Sequence, residues 1–389
     1  MSDSSQDSET LVITKKWRRK TLFVPTRKTK FEEFSCMDVF YDYIENLETR
    51  KQYINSFCRF MEFLELSNPE TMLEKQDKEI EELLKQWLRH LKKQFVSGER
   101  KAGSFPSEMC GIKHFLTYHD RNFNWKRINK MQPRLGLVET KPYSREMIQQ
   151  LLEANTKIRN RFLITFLAST GCRIGALENM RCEQLQKIEN CYAVTIYPNC
   201  KEQYISFLTP ESSRLYERYI EKRKTDGEDI SPKSAVFNQD YVKRERPLTV
   251  ESCRKIVERS ASKANIRGLK SGRRFEIQPN HGFRKFFATT TKRISSISYS
   301  VSERLLGHQS YLDGTYFKPT VEELFEEYKK AIPNLTIDQT EAKQYEIEKL
   351  EAEKQEMLKQ QFKAQRLEDM LPSIQKQLAE QGIRLELNF

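Results

Sequence analysis

The chain has 389 residues, with 67 Lys and Arg against 55 Asp and Glu, a formal net charge of +12. Hydrophobic residues make up 38% and charged residues 31%, enough apolar material for a real core beneath a densely charged surface, which excludes a wholly disordered chain. No run of about 18 apolar residues occurs, and the first ten residues, MSDSSQDSET, are acidic and polar, so neither a membrane span nor a Sec export signal is expected.

The length favours two or three domains. The eight cysteines include no CxxC pair and no histidine near enough to complete a zinc set, and they read as reduced thiols of an intracellular protein. The charge is uneven. Residues 333–389 hold 8 basic and 11 acidic residues, which leaves the body at +15. Such a body suits a polyanion, because each phosphate neutralised by Lys or Arg releases condensed counterions; ordinary soluble proteins reach a similar pI, so charge alone leaves the partner open.

Residues 1–30 read as a basic flexible arm. Lys15, Lys16, Arg18, Arg19 and Lys20 surround Trp17, a pattern that fits a DNA-tracking arm, a nuclear-import signal or a solvated tail. From 31 to 130 the pattern is that of a small bundle of about four helices. A helix from Met37 to Ile44 is expected, and one starting at Thr49 places Tyr53, Phe57, Phe60, Met61 and Leu64 on one face. Ile80, Leu83, Leu84, Trp87, Leu88 and Leu91 make a second stripe, and Met109, Ile112, Phe115 and Leu116 a shorter one. These aromatics share faces with aliphatics and read as core. His90, His114 and His119 lie in this bundle and receive no role.

Residues 131–143, with two prolines and a glycine and no period, read as a linker. Ser144 and Glu146 open a mostly helical domain over 144–332, in which Phe162, Leu163, Phe166 and Leu167 form a buried stripe. Tyr192–Tyr197 and Tyr204–Phe207 read as two strands joined around Pro198 and Asn199. Helices follow at 210–222, 249–264, 281–293 and 300–306, with surface loops at 240–246 and 267–274. Beyond Ile332 the Glu-, Lys- and Gln-rich composition reads as one long charged helix. Ile347, Leu350, Met357 and Ala364 fit a heptad seam that Lys354 and Gln361 interrupt, so a solvated helix and an oligomerising one stay open. The fold class is mainly α: a helical bundle, a mostly helical domain with a small β-sheet, and a charged helical tail.

Five short segments of the second domain carry chemistry. Thr170-Gly171-Cys172-Arg173 places an arginine after a tight turn. Lys201 stands between the two strands. His281-Gly282-Phe283-Arg284 sets a histidine and an arginine three apart on a helix. Leu305-Leu306-Gly307-His308 puts a histidine just past a helix end, and Tyr316 follows in Gly314-Thr315-Tyr316-Phe317. In this order the residues resemble the tyrosine recombinase, or phage-type integrase, family: Arg, Lys, His-x-x-Arg, His, Tyr. The segment LDGTYFKPTVEELFEEYKKAI looks most like integrases of archaeal mobile elements. The motifs span about residues 144–330, and the bundle fits the family's core-binding domain in position and size but not in any motif.

The resemblance implies a site-specific DNA recombinase that cuts and rejoins duplex DNA through a 3′-phosphotyrosyl link, with no cofactor or metal and no ATP, as a homo-tetramer on DNA. It gives Arg173 and Arg284 the task of clamping the phosphate oxygens, Lys201 that of protonating the departing 5′-oxygen, His281 and His308 that of donating hydrogen bonds or moving a proton, and Tyr316 that of the nucleophile. Such a protein is expected to be intracellular and DNA-associated. Tyr311 lies too close to His308 for the family's spacing, and Tyr328 shares the apolar face of a helix opened by Thr320 and Glu323 as a capping box, so it reads as core. That helix, with Val321, Leu324, Phe325, Tyr328 and Ile332, suits either a neighbouring protomer or its own domain. The sequence departs from the family at position 176, where an acidic residue is common and Ala176 stands. Two rival readings remain: a type IB topoisomerase-like nick-and-reseal enzyme, and a catalytically weak DNA-binding accessory on the same fold.

Overall fold

A computed structural model describes residues 31, 33–100, 104–131, 140–239, 246–266, 270–271, 274–308 and 318–380. The basic arm, most of the linker, the loop 240–245 and the stretch holding Tyr311 and Tyr316 lie outside the described residues. The chain divides into two units, Met1–Val138 and Glu139–Phe389.

In the first unit the predicted stripes bury their apolar faces. The helices are α1 (Val39–Asp42), α2 (Leu47–Phe63), α3 (Glu70–Leu73), α4 (Asp77–Val96), α5 (Phe105–Tyr118) and α6 (Trp125–Asn129). Phe57, Phe60 and Met61 of α2, Leu84, Trp87 and Leu91 of α4, and Ile112, Phe115 and Leu116 of α5 close one core. Each such phenylalanine or leucine contributes about 1.5–3 kcal/mol by leaving water. Helices α2 and α5 approach so closely that a Cβ at Gly111 would stand 1.9 Å from the Tyr53 carbonyl oxygen. There the Gly111 amide donates to Ser56 Oγ at 2.8 Å. Two expectations need correction. Helix α2 begins before Thr49, because the Asn46 side chain accepts from the amides of Glu48 and Thr49 and so fixes the first turn. The helix expected over Met37–Ile44 is instead a 3-10 turn, Ser35–Met37, followed by the single turn of α1. His114 and His119 reach the carbonyl oxygens of Val39 and Cys36, each at 2.8 Å, and His90 stacks on Trp87. These are bundle-internal roles.

The second unit is built around α8 (Ile158–Thr170), buried on nearly every side, with α7 (Arg145–Glu153) before it. The Ser144 hydroxyl caps α7 by accepting from the Met147 amide. The sheet has three antiparallel strands rather than two: β1 (Leu185–Ile188), β2 (Cys191–Ile196) and β3 (Tyr204–Leu208), in that order. Strand β1, LQKI, is an edge with only Leu185 buried, and it has no alternating pattern to announce it. Across the other pair, Ala193 faces Phe207 and Val194 faces Ser206.

Helices α9 (Pro210–Thr225), α10 (Val250–Lys263), α11 (Pro279–Arg293), α12 (Tyr299–Leu305), α13 (Val321–Lys329) and α14 (Ile332–Leu335) complete the unit. The segment expected as a loop over 267–274 contributes a short ladder, β4 (Lys270–Ser271) with β5 (Arg274–Phe275). Helix α13 packs on its own unit, with the rings of Phe325 and Tyr328 each 5.2 Å from Phe207. The tail is not one helix from Ile332. The backbone turns extended at Thr336, then α15 (Gln339–Glu380) runs 42 residues and passes through Pro372. No helix among the described residues is long and apolar enough to cross a membrane.

Candidate active site

The turn that presents Arg173 is built by its neighbours. Helix α8 ends at Gly171 with φ +58°, and a Cβ there would stand 2.7 Å from the Phe287 ring, so both backbone sign and space call for glycine. Buried hydroxyls hold the turn: Ser206 Oγ on β3 donates to the Thr170 carbonyl at 3.1 Å, and the Cys172 amide donates to Thr170 Oγ1 at 3.3 Å. The Cys172 thiol is fully buried and pushed up to about 11, so it stays a neutral filler. Arg173 then opens the 3-10 turn Ile174–Leu177 with its side chain exposed, and Ala176 is buried beneath it.

Arg284 is 8% exposed and sits on α11 facing inward. Its Nη1 donates to the Gly171 carbonyl at 2.9 Å, and its Nη2 to the Leu306 carbonyl at 2.6 Å. The same Nη2 lies 2.7 Å from His308 Nε2. One guanidinium therefore joins the turn before Arg173 to the end of α12. His308 follows Gly307, whose φ of +68° and close approach to the Tyr204 ring again require glycine. The other ring nitrogen of His308, Nδ1, is 2.8 Å from Glu303 Oε2, and Lys292 pairs with that carboxylate at 2.5 Å. Burial would push Glu303 up, but hydrogen bonds from Lys292 and His308 outweigh it and hold the carboxyl below its usual range.

His281, one turn before Arg284, is exposed. Its affinity for a proton is lowered by partial burial and then by the charges of Arg284, Lys285 and Arg173. At neutral pH it is an uncharged imidazole among cations, able to accept a proton. Arg173, His281, Arg284 and His308 are thus gathered around one basic rim. Lys201 lies on the β2–β3 turn, exposed. That hairpin borders the rim, since its Tyr197 phenol feels the charges of Arg173 and Arg284. Tyr316 falls outside the described residues. Glu303 and Lys292 were missed in the sequence, where nothing in the spacing of an acid five residues before a histidine, or of a lysine on another helix, marks them as partners.

Residues 143–312 match the model of the phage integrase family. No curated protein matches the sequence. Among solved structures, the chain is similar to the XerH site-specific recombinase bound to palindromic difH substrate, at 18% identity and TM-score 0.51, over 68% of this chain and 74% of that one. It also aligns with a lambda integrase tetramer bound to a Holliday junction, at 14% identity and TM-score 0.49, over 82% and 88%. Alignment with the XerA recombinase covers 76% and 97% at 20% identity and TM-score 0.37. Residues 143–312 thus match the phage integrase family, and the mostly helical unit that holds them, with its small antiparallel sheet, has the tyrosine recombinase catalytic fold.

Proposed function

We propose that this chain is a site-specific tyrosine recombinase and that Tyr316 is the nucleophile with which it cuts DNA, leaving the 3′-phosphate on the phenol and a free 5′-hydroxyl. The observation that supports this reading best is the convergence of Arg173, His281, Arg284 and His308 on one rim, where cations can meet the charge that gathers on phosphate oxygens in the transition state. Arg173 and Arg284 clamp the non-bridging oxygens, since guanidinium charge is permanent and its donors are forked. His281, uncharged and exposed, accepts the phenol proton or passes it on. Lys201 protonates the departing 5′-oxygen, and His308 orients the Arg284 guanidinium that holds the phosphate. The phosphotyrosyl link keeps the energy of the broken bond, so rejoining to another 5′-hydroxyl needs no ATP.

In this reading residues 1–30 with Lys15, Lys16, Arg18, Arg19 and Lys20 track the DNA backbone, 31–130 bind the duplex, 131–143 link, 144–332 catalyse, and 333–389 form the tail. Recombination cuts four strands, which calls for a homo-tetramer on double-stranded DNA inside the cell. The wording of residues 312–332 supports an origin in an archaeal mobile element. Trapping a covalent adduct on nicked or randomised duplexes, with wild type beside Tyr316→Phe, tests the proposal. A 3′-linked adduct in wild type alone supports it. Tight duplex binding with no adduct in either protein would favour the DNA-binding accessory, a reading to which Ala176 lends weight. Nicking and resealing without exchange between two sites would favour the topoisomerase.

A further inference from the structure

We propose that Glu303, on α12 and braced by Lys292, is the positioning residue that fixes the tautomer and ring orientation of His308. The inference rests on the reading that Arg284 and His308 face the reacting phosphate.

Three contacts carry it. Glu303 Oε2 lies 2.8 Å from His308 Nδ1, while Lys292 Nζ, from the last turn of α11, holds Oε1 at 2.5 Å. The His308 amide also donates to the Glu303 carbonyl at 2.9 Å, so backbone and side chain of one residue grip the histidine from both ends. Lys292 is itself placed, its ammonium 4.6 Å from the centre of the Tyr299 ring. An ionised carboxylate only accepts hydrogen bonds, so Nδ1 must carry the proton. In the uncharged ring this leaves Nε2 as an acceptor, and Nε2 is the atom that faces Arg284 Nη2 at 2.7 Å. An ion pair from Lys292 thus anchors Glu303, and from Glu303 through His308 to Arg284 donors and acceptors alternate consistently. This arrangement aims the second nitrogen of His308 at the guanidinium that would hold the phosphate. The logic is that of a carboxylate orienting a catalytic imidazole in other enzymes.

The test compares Glu303→Ala and Glu303→Asp in the full-length protein, each in a wild-type and a His308→Asn background. Cleavage of pre-bound nicked duplex should slow by about 10- to 100-fold in Glu303→Ala, recover in part in Glu303→Asp, and fall less than about twofold further when His308 is already Asn, with duplex affinity unchanged. Equal slowing in both backgrounds, or slowing that only tracks a lower folded fraction, would overturn the proposal. A second readout is independent of activity. Ring 15N shifts of His308 should report the Nδ1–H tautomer in wild type and a shift toward Nε2–H in Glu303→Ala; an unchanged tautomer overturns the proposal. If wild type forms no adduct at all, the reading of the function fails, and the ring shifts still decide whether Glu303 sets His308.

Discussion

The hydroxyl of Tyr328 donates to the main-chain oxygen of Ser169 at 2.9 Å, pinning α13 to α8 across 159 positions of sequence. Tyr328 is fully buried, burial pushes its phenol well above the usual range, and its hydroxyl is committed to a main-chain oxygen, all of which argue for a structural role. Tyr328→Phe removes the donor and leaves a buried carbonyl unmet. It should cost about 1–3 kcal/mol in urea unfolding while folded protein still forms the covalent adduct. Loss of adduct at full stability would move the nucleophile to Tyr328.

Gly307→Ala is expected to damage site and fold together. A Cβ there would stand 2.3 Å from the Tyr204 ring, and the backbone is left-handed. The added strain of about 1–2 kcal/mol comes on top of a displacement of Leu306 and His308, two partners of Arg284. Gly227→Ala is the control: φ is +92° and nothing lies within 4 Å. It should lower stability by a similar backbone amount and leave cleavage unchanged.

Glu211 makes stability depend on pH. The side chain is buried on α9, where its Oε2 accepts from the Ile337 amide at 2.7 Å just before α15. Burial pushes its carboxyl up to about 7; the Ile337 amide opposes this, and Glu341 and Asp338 add to it. A carboxyl raised above its unfolded value contributes stability that is whole below about pH 4.5 and is lost as pH rises through 7. A shift of this size is worth about 3 kcal/mol. Between pH 5 and 8.5 the Tm of wild type should fall, and that of Glu211→Gln should fall much less. Parallel curves would refute the assignment.

The arm should act through phosphates alone. Replacing Lys15, Lys16, Arg18, Arg19 and Lys20 with Gln should weaken duplex binding equally on all sequences. If all five cations contact phosphates, the slope of log K against log salt should flatten by about 4 to 5. An unchanged slope would mean that these cations lie off the DNA.

Lys292→Met removes the brace behind Glu303 without touching His308 directly. The Glu303 carboxyl, now held low by fewer hydrogen bonds, should titrate higher. Its 13C chemical shift followed over pH should show this, and cleavage should fall by less than in Glu303→Ala.

The helical stripes and the capping signals at Ser144 and Thr320 were legible in the chain, because each depends on residues three or four positions apart. The same locality explains the misses. Strand β1 is a mostly polar edge fixed by its pairing with β2 and by distant partners such as Glu217, the helix over Met37–Ile44 yields to a 3-10 turn, and the extended residue at Thr336 follows directly on the short helix α14. The sequence by itself determined the order of two arginines, two histidines and a lysine along the second unit, a set whose cationic and proton-carrying groups suit the phosphate chemistry proposed for them. Only the tertiary structure decided how they are held. It buried Arg284 against Gly171 and Leu306, gathered its positive neighbours around His281, and gave His308 a carboxylate from Glu303 of α12. Hydrogen bonds and Coulomb forces act over a few ångströms in space, and the residues they join here stand from 5 to 113 positions apart along the chain.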